Sequence, residues 1–282
     1  AKMALLILME GFLMAGRFDG LSDAEWKLFE PIFPVSGKRG PGRPKVSPRK
    51  ALNLLLYILI TGCRWCDLPR GPQWASKSSS HRRLKSWYLD GTLSQIKAVL
   101  LGIAQNEGQI QWQSGAVDGS FSAGKGGGAD VAYGYKGKGI LIHLLVDAEG
   151  MPLSAVTTAA NEDERKQVEP LLDQIEVKTG RAGRPPKKTR RLAGDKGYDS
   201  EKLRTFLRHK GIQPQLPRKK NAQKRRGRPV QMTAPRFQVE RTFSWLQRKF
   251  RRLAVRWERL PCCFNSFLSL GIIFMWVQRL VG

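Results

Sequence analysis

The stretch Ala116-Val117-Asp118-Gly119-Ser120 reads as a short β-strand over 116–118 that carries a carboxylate to its end, where glycine lets the backbone turn away. Working outward, residues 140–146 and 153–158 read as two more strands, set off by glycine-rich or turn-forming residues. A helix over about 163–177, a strand over 192–195, a helix over 200–209 and an extended segment over 212–216 follow. Strands first, then helices alternating with strands, describe an α/β domain with a mixed sheet.

Upstream of about Gly108 the pattern is helical. Ser22-Asp23-Ala24-Glu25 is a capping box for a short helix bearing Trp26 and Phe29, which stops near Pro31 and Pro34. Ser47-Pro48 starts an apolar helix that Gly62 terminates. The run containing His81, Arg82, Arg83 and Lys85 leads into Trp87 and Tyr88 on another helix. The chain therefore divides into a leader or extended start over 1–18, a small all-helical unit over 19–108, and an α/β domain over 109–282. The leader reading rests on an apolar run behind Lys2, interrupted by Glu10; an upstream start codon or a docked helix explains it equally well. Residues 264–277 are apolar but too short to span a bilayer, and read as a buried closing helix.

The formal net charge of +26 makes a polyanion the natural partner, with nucleic acid ahead of membrane or acidic protein. Gly-Arg-Pro recurs at 42–44, 183–185 and 227–229, each time among basic residues, giving basic loops at 181–191 and 218–229. The third resembles the core of an AT-hook, in which an extended Arg-Gly-Arg-Pro lies in a narrow minor groove. A solvated basic loop is the other reading of any single copy; three copies favour DNA contact, through Arg43, Arg184, Arg226 and Arg228. The four cysteines read as free thiols of a reducing cytoplasm, and Cys63-x-x-Cys66 lacks a second ligand pair for zinc.

Three acids carry the chemistry. Asp118 and Asp195 both stand at expected strand ends, where carboxylates of neighbouring strands converge on one cation. Val239, Phe243, Leu246, Phe250, Leu253 and Trp257 recur at spacings of four and three, defining the buried stripe of a helix. Arg236, Glu240, Gln247 and Arg251 fall along one flank of that stripe, so Glu240 sits at the core boundary; an i,i+4 ion pair with Arg236 is the competing explanation. Two unit charges of like sign at 4 Å repel by roughly 4 kcal/mol at an effective dielectric of about 20, and a divalent cation relieves that cost. Oxygen-only ligands point to Mg²⁺, with Mn²⁺ able to substitute, and two such ions suit in-line phosphoryl transfer. Asp130, Asp147, Asp163 and Asp199 read as structural, the last as a cap for the helix beginning at Ser200.

The chain resembles the DDE transposases of bacterial insertion sequences, in particular the insertion-sequence-5 family, which is related to the insertion-sequence-4 type. The resemblance rests on Leu21-Ser22-Asp23-x-x-Trp26, Gly62-Cys63-Arg64-Trp65-x-Asp67-Leu68-Pro69, Val117-Asp118-Gly119-Ser120, Lys136-Gly137 through Val146-Asp147-x-x-Gly150-x-Pro152-Leu153, Asp195-Lys196-Gly197-Tyr198-Asp199, and Val239-Glu240-Arg241-x-Phe243. It implies a ribonuclease-H-like catalytic domain in which Asp118, Asp195 and Glu240 coordinate two metal ions. It also implies recognition of terminal inverted repeats, strand cleavage and transfer of 3′-hydroxyl ends to target DNA. Synapsis of two ends implies a homodimer on double-stranded DNA in the bacterial nucleoid, with neither a membrane nor a small-molecule substrate. The family signature Tyr-x-x-Arg-x-x-x-Glu-x-x-x-x-x-x-Lys matches at Arg236 and Glu240, whereas Thr233 stands for the tyrosine and Gln247 for the lysine. Arg248, Lys249 and Arg251 are candidates to replace that lysine, and Arg82, Arg83, Lys85, Arg236 and Arg241 are further DNA-contact candidates. A relative that binds DNA without cleaving it is the alternative; an RNA-binding protein is disfavoured because no single-strand stacking motif is present.

Overall fold

A computed structural model describes residues 18–33, 46–218, 234 and 236–282. The start of the chain, the basic stretch with Arg43, and the loop with Arg226, Arg228 and Thr233 lie outside the described residues.

The N-terminal part is helical, as its caps dictate. Helix α1 (Asp23–Phe29) opens on a complete capping box: Glu25 N donates to Ser22 Oγ, and Ser22 N donates to the Glu25 carboxylate at 2.7 Å. Helix α2 (Pro48–Thr61) has proline in its first turn and closes on Gly62 at φ +69°. Helices α3 (Lys77–Leu89, capped by Ser76) and α4 (Thr92–Asn106) complete this layer.

Six strands form one sheet: β1 (Gly115–Ala123), β2 (Ala132–Gly134), β3 (Gly137–Asp147), β4 (Pro152–Ala159), β5 (Arg191–Ala193) and β6 (Gln213–Gln215). β3 is antiparallel to β1, β2 and β4, whereas β5 runs parallel to both β1 and β6. Four antiparallel strands followed by two parallel ones, with helices α5 (Val168–Asp173), α6 (Glu201–His209), α7 (Phe237–Lys249), α8 (Arg251–Ala254) and α9 (Pro261–Val281) flanking, make a ribonuclease-H-like arrangement. One continuous hydrophobic core runs from Phe29, Leu52 and Leu100 to Leu144, Leu246 and Trp276, joining the N-terminal helices to the sheet.

Several elements depart from the sequence expectation. β1 does not end at Asp118 but continues to Ala123 against β3. The helix expected over 163–177 is a 3₁₀ turn (Glu164–Gln167) followed by the short α5. Proline is tolerated only in a first helical turn, so Pro170 forces the α-helix to begin at Val168. α9 spans 21 residues, more than its apolar run implied and enough in length and composition to cross a membrane. It is nonetheless a core helix: Trp276 is fully buried, and its indole N–H donates to Pro152 O at 2.8 Å.

The stripe helix also breaks. α7 ends at Phe250, whose φ of −108° and ψ of 79° are not helical, and Trp257 is 54% exposed. The far end of β1 captures the chain instead: Ser122 Oγ donates to Leu253 O at 3.1 Å and Arg256 N to Ala123 O at 2.8 Å.

α7 is fixed at its other end by the β3–β4 turn. The buried Asp147 carboxylate accepts from the backbone N–H groups of Gln111, Glu149 and Met151, a structural role as expected. The turn's carbonyls then accept from α7: Glu149 O from Arg241 Nη2 and Gly150 O from Thr242 Oγ1, both at 2.5 Å. Gly150 has φ +85°, and a Cβ there would stand 3.0 Å from Thr242 Oγ1. Gly150→Ala is therefore expected to cost about 2 kcal/mol and to lower the thermal midpoint by about 4–8 °C. Scanning calorimetry of the two proteins checks this.

Candidate active site

The site follows from strand register. Ala116 pairs with Ala193 on the parallel strand β5, and the pairing stops there. Asp118 and Asp195 each lie two residues farther along, Asp118 still within β1 and Asp195 just past the end of β5. Because β1 continues beyond β5, Asp118 lies mid-strand beside an edge that β5 has vacated, so the opening comes from the end of β5 and not of β1.

α7 covers the same face of β1. Even-numbered residues from Asp118 to Ser122 share that face, and Gln247 Nε2 donates to Ser120 Oγ at 3.0 Å. Asp118, Gly119, Ser120, Glu240, Phe243, Ser244, Gln247 and Arg248 line a cavity of about 420 Å³. Two of the three expected acids thus share one cavity, and the third lies near enough for its charge to act on Asp118.

Each carboxylate has its own local partner. Asp118 Oδ1 accepts from Gly119 N at 2.8 Å, Asp195 Oδ1 from Gly197 N at 2.7 Å, and Glu240 Oε1 pairs with Arg236 at 2.6 Å. The competing ion pair is therefore present, and about half of the Glu240 side chain is exposed. Among the described residues, no three His, Cys, Asp or Glu side chains are drawn together closely enough to hold a metal ion in this arrangement.

Electrostatics nevertheless couple the group. Burial, aided by the negative charges of Asp195 and Glu164, pushes Asp118 from the ordinary 3.8 up to about 6. An oxygen-only donor set that holds a carboxylate in this condition suits a hard divalent cation, whose charge favours the ionised form. Arg236 supplies positive charge meanwhile: its guanidinium feels Glu240 foremost, then Asp118 and Asp195.

Glu164 is a fourth acid that the sequence did not single out. Its Oε2 accepts from the buried Tyr198 hydroxyl at 3.1 Å and would stand 2.7 Å from a Cβ on Gly119. Gly119 thus makes room for Glu164, and burial together with these carboxylates raises the Tyr198 hydroxyl well above its usual range. The only sequence signal was an acidic run, Glu162-Asp163-Glu164, just past β4. Asp163 caps the following turn as expected, whereas Asp199 makes a buried 2.8 Å bridge with Arg204 instead of capping α6.

The basic candidates scatter. Arg248 lines the cavity, whereas Lys249 turns to Gln278 and the Phe274 ring, and Arg251 is exposed beyond the α7 break beside Gly62. Arg241 reaches back to Glu149 O and stacks on Trp245, with its guanidinium carbon 4.6 Å from the ring centroid. Arg82, Lys85 and Arg184 are exposed, and Arg83 lies half-buried over Trp87.

A family model described as "Transposase DDE domain" matches residues 113–265, more than half of the chain. The chain belongs to the transposase DDE-domain family. A second model, "Putative transposase of IS4/5 family", matches residues 21–97. The "Putative transposase for insertion sequence element IS402" of Burkholderia cepacia is 40% identical over 129 residues, covering 46% of this chain and 58% of that protein. The "Transposase for insertion sequence element IS1106" of Neisseria meningitidis serogroup B is 35% identical over 116 residues, covering 39% of this chain and 36% of its own. The chain thus spans less than two thirds of either transposase.

The raised Asp118 of this DDE-domain chain has a pH consequence. Ionising it costs folded stability between about pH 4 and pH 6, a cost absent below that window and complete above it. Without divalent metal, Asp118→Asn is expected to raise the thermal midpoint at pH 8 by a few degrees and to leave it unchanged near pH 4. A midpoint-versus-pH series in chelator tests this.

Proposed function

We propose that this protein is a DNA transposase that binds the terminal inverted repeats of its element, cleaves the phosphodiester backbone and transfers the freed 3′-hydroxyl ends to target DNA. The observation that carries this reading is that Asp118 on β1 and Asp195 just past the end of β5 each follow the last β1–β5 pair by two residues, with Glu240 across the cavity that Asp118 lines. Asp118, Asp195 and Glu240 are the residues that would hold two Mg²⁺ ions, with Mn²⁺ able to substitute. Bound there, such ions would activate water and stabilise charge on the attacking and leaving oxygens.

The chain's own residues supply the remaining steps. Glu240 would have to leave Arg236 to serve as a ligand, and the released guanidinium would then be available to a DNA phosphate. Arg248, exposed at the cavity rim, takes the place of the absent signature lysine and holds the cleaved end, while Gln247 and Ser120 fix the cavity wall. The helical unit over 19–108 contributes end recognition through the exposed Arg82 and Lys85, and the unit over 109–282 contributes catalysis. Pairing of two ends calls for a homodimer, working at the nucleoid in the bacterial cytoplasm.

One observation favours a second reading, a DNA-binding relative without catalysis: the Arg236–Glu240 pair already occupies the third ligand. Incubation of end-containing duplex with Mg²⁺ separates the two. Cleavage by the wild type is expected to fall at least about 1,000-fold in Asp118→Ala, Asp195→Ala and Glu240→Ala, with duplex binding retained. Equal cleavage by all four proteins rejects the site assignment, and no cleavage by the wild type, with binding intact, favours the second reading. Arg248→Ala is expected to weaken retention of the cleaved end, measured by gel shift of pre-nicked duplex, whereas Lys249→Ala leaves retention unchanged.

A further inference from the structure

The hairpin joining β2 and β3 turns its large side chains to solvent. Tyr133 is 75% exposed and Tyr135 is fully exposed, although buried aromatic side chains are among the largest contributors to a core. Tyr135-Lys136 forms the two-residue tip, Gly134 and Gly137 pair across it, and Lys138 stands opposite Tyr133 with Nζ 5.8 Å from the ring centroid. The hairpin is held tightly beside its tip, since a Cβ on Gly134 would fall 2.2 Å from Ala160 O. Residues 131–141 include Lys136 and Lys138, both exposed, and contain no acid. The result is a firmly held finger of two tyrosines and two lysines.

Its position relative to the site follows from register. Asp118 pairs with Leu144, Ser120 with Ile142 and Ser122 with Ile140, so continued alternation puts Lys138 and its partner Tyr133 on the same sheet face as Asp118. From Leu144 to Gly137 is seven residues, at most about 24 Å along β3. At about 3.4 Å per base along one strand, that is about seven base pairs.

Resting on the reading of the site as a DNA-cleaving centre, we propose that the β2–β3 hairpin is a second DNA contact. Tyr133 and Tyr135 stack on base faces about seven base pairs from the phosphate at Asp118, and Lys136 and Lys138 neutralise the flanking phosphates. The lysines select a polyanion over a neutral protein surface, and exposed aromatic rings at a rigid tip suit stacking or wedging between base steps. The contact sets how far the duplex extends past the cleavage point before the protein releases it. It carries no base-specific hydrogen bonding.

The two contributions separate in a salt titration of binding to end-containing duplex, followed by fluorescence anisotropy in the full-length protein. Tyr133→Ala/Tyr135→Ala is expected to weaken binding at least about tenfold with the salt slope unchanged. Lys136→Ala/Lys138→Ala is expected to reduce the slope by about 2. Tyr133→Phe/Tyr135→Phe keeps the rings and is expected to bind like the wild type. A 2-aminopurine placed about seven base pairs from the cleavage point is expected to change in fluorescence with the wild type and not with the alanine pair. Binding by the alanine pair within twofold of wild type overturns the proposal. So does a loss shared by the phenylalanine pair, or a change in oligomeric state of the alanine pair without DNA, which would mark the hairpin as a protein interface. Failure of the functional reading is a different result: the wild type would not cleave the duplex, with or without binding it, whatever the hairpin carries.

Discussion

The site depends on the brevity of one strand pairing. β5 hydrogen-bonds with β1 over two residue pairs and then leaves, while β1 continues for seven more residues against β3. A longer pairing would enclose Asp118 within a continuous sheet with no open side. The early departure of β5 produces three features together: Asp195 off the strand end on the side of Asp118, an edge of β1 that β5 has vacated, and space for Glu164 against Gly119. Tyr198 sits just past the departure point with its ring in the core, and its hydroxyl holds Glu164 in that space.

What closes the site is anchored elsewhere. α7 carries Glu240, but its position comes from two backbone contacts: the β3–β4 turn receives Arg241 and Thr242 near its start, and the end of β1 receives the chain just past its break. Asp147 organises that turn without touching α7. A buried carboxylate that accepts three backbone N–H groups is a rigid support, whereas Glu240, half exposed and ion-paired, can change partner. The acids thus divide into supports and participants according to what surrounds them.

That division explains how much could be read from residues alone. The caps at Ser22 and Gly62 stand in local patterns, as do the three candidate acids, and local patterns survive folding. The extension of β1 to Ala123 was not legible, because Gly119 and Ser120 carry the composition of a turn and only pairing with β3 makes them strand. The helical stripe predicted Val239, Phe243 and Leu246 correctly and failed at Trp257, because capture of the chain by Ser122 and Ala123 is a long-range event with no periodic signature. Glu164 and Asp195 are about 30 positions apart, and their proximity through Tyr198 leaves no trace in spacing.

The remaining question is why a protein with a net charge of +26 sets Asp118, Asp195 and Glu240 near one cavity that, under the proposed function, a phosphate would approach. Unscreened, that cluster would repel the polyanion that the rest of the surface attracts. Arg236 answers for the free protein: paired with Glu240 and within the fields of Asp118 and Asp195, it supplies positive charge where a divalent cation would otherwise be needed. Because guanidinium keeps its charge at every physiological pH, this balance holds without metal. A cation of higher charge density that takes the carboxylates frees Arg236 for a phosphate, so metal and DNA binding would favour one another through one side chain. On this view the Arg236–Glu240 pair is a resting arrangement that keeps the acids folded and the cavity receptive until both partners arrive.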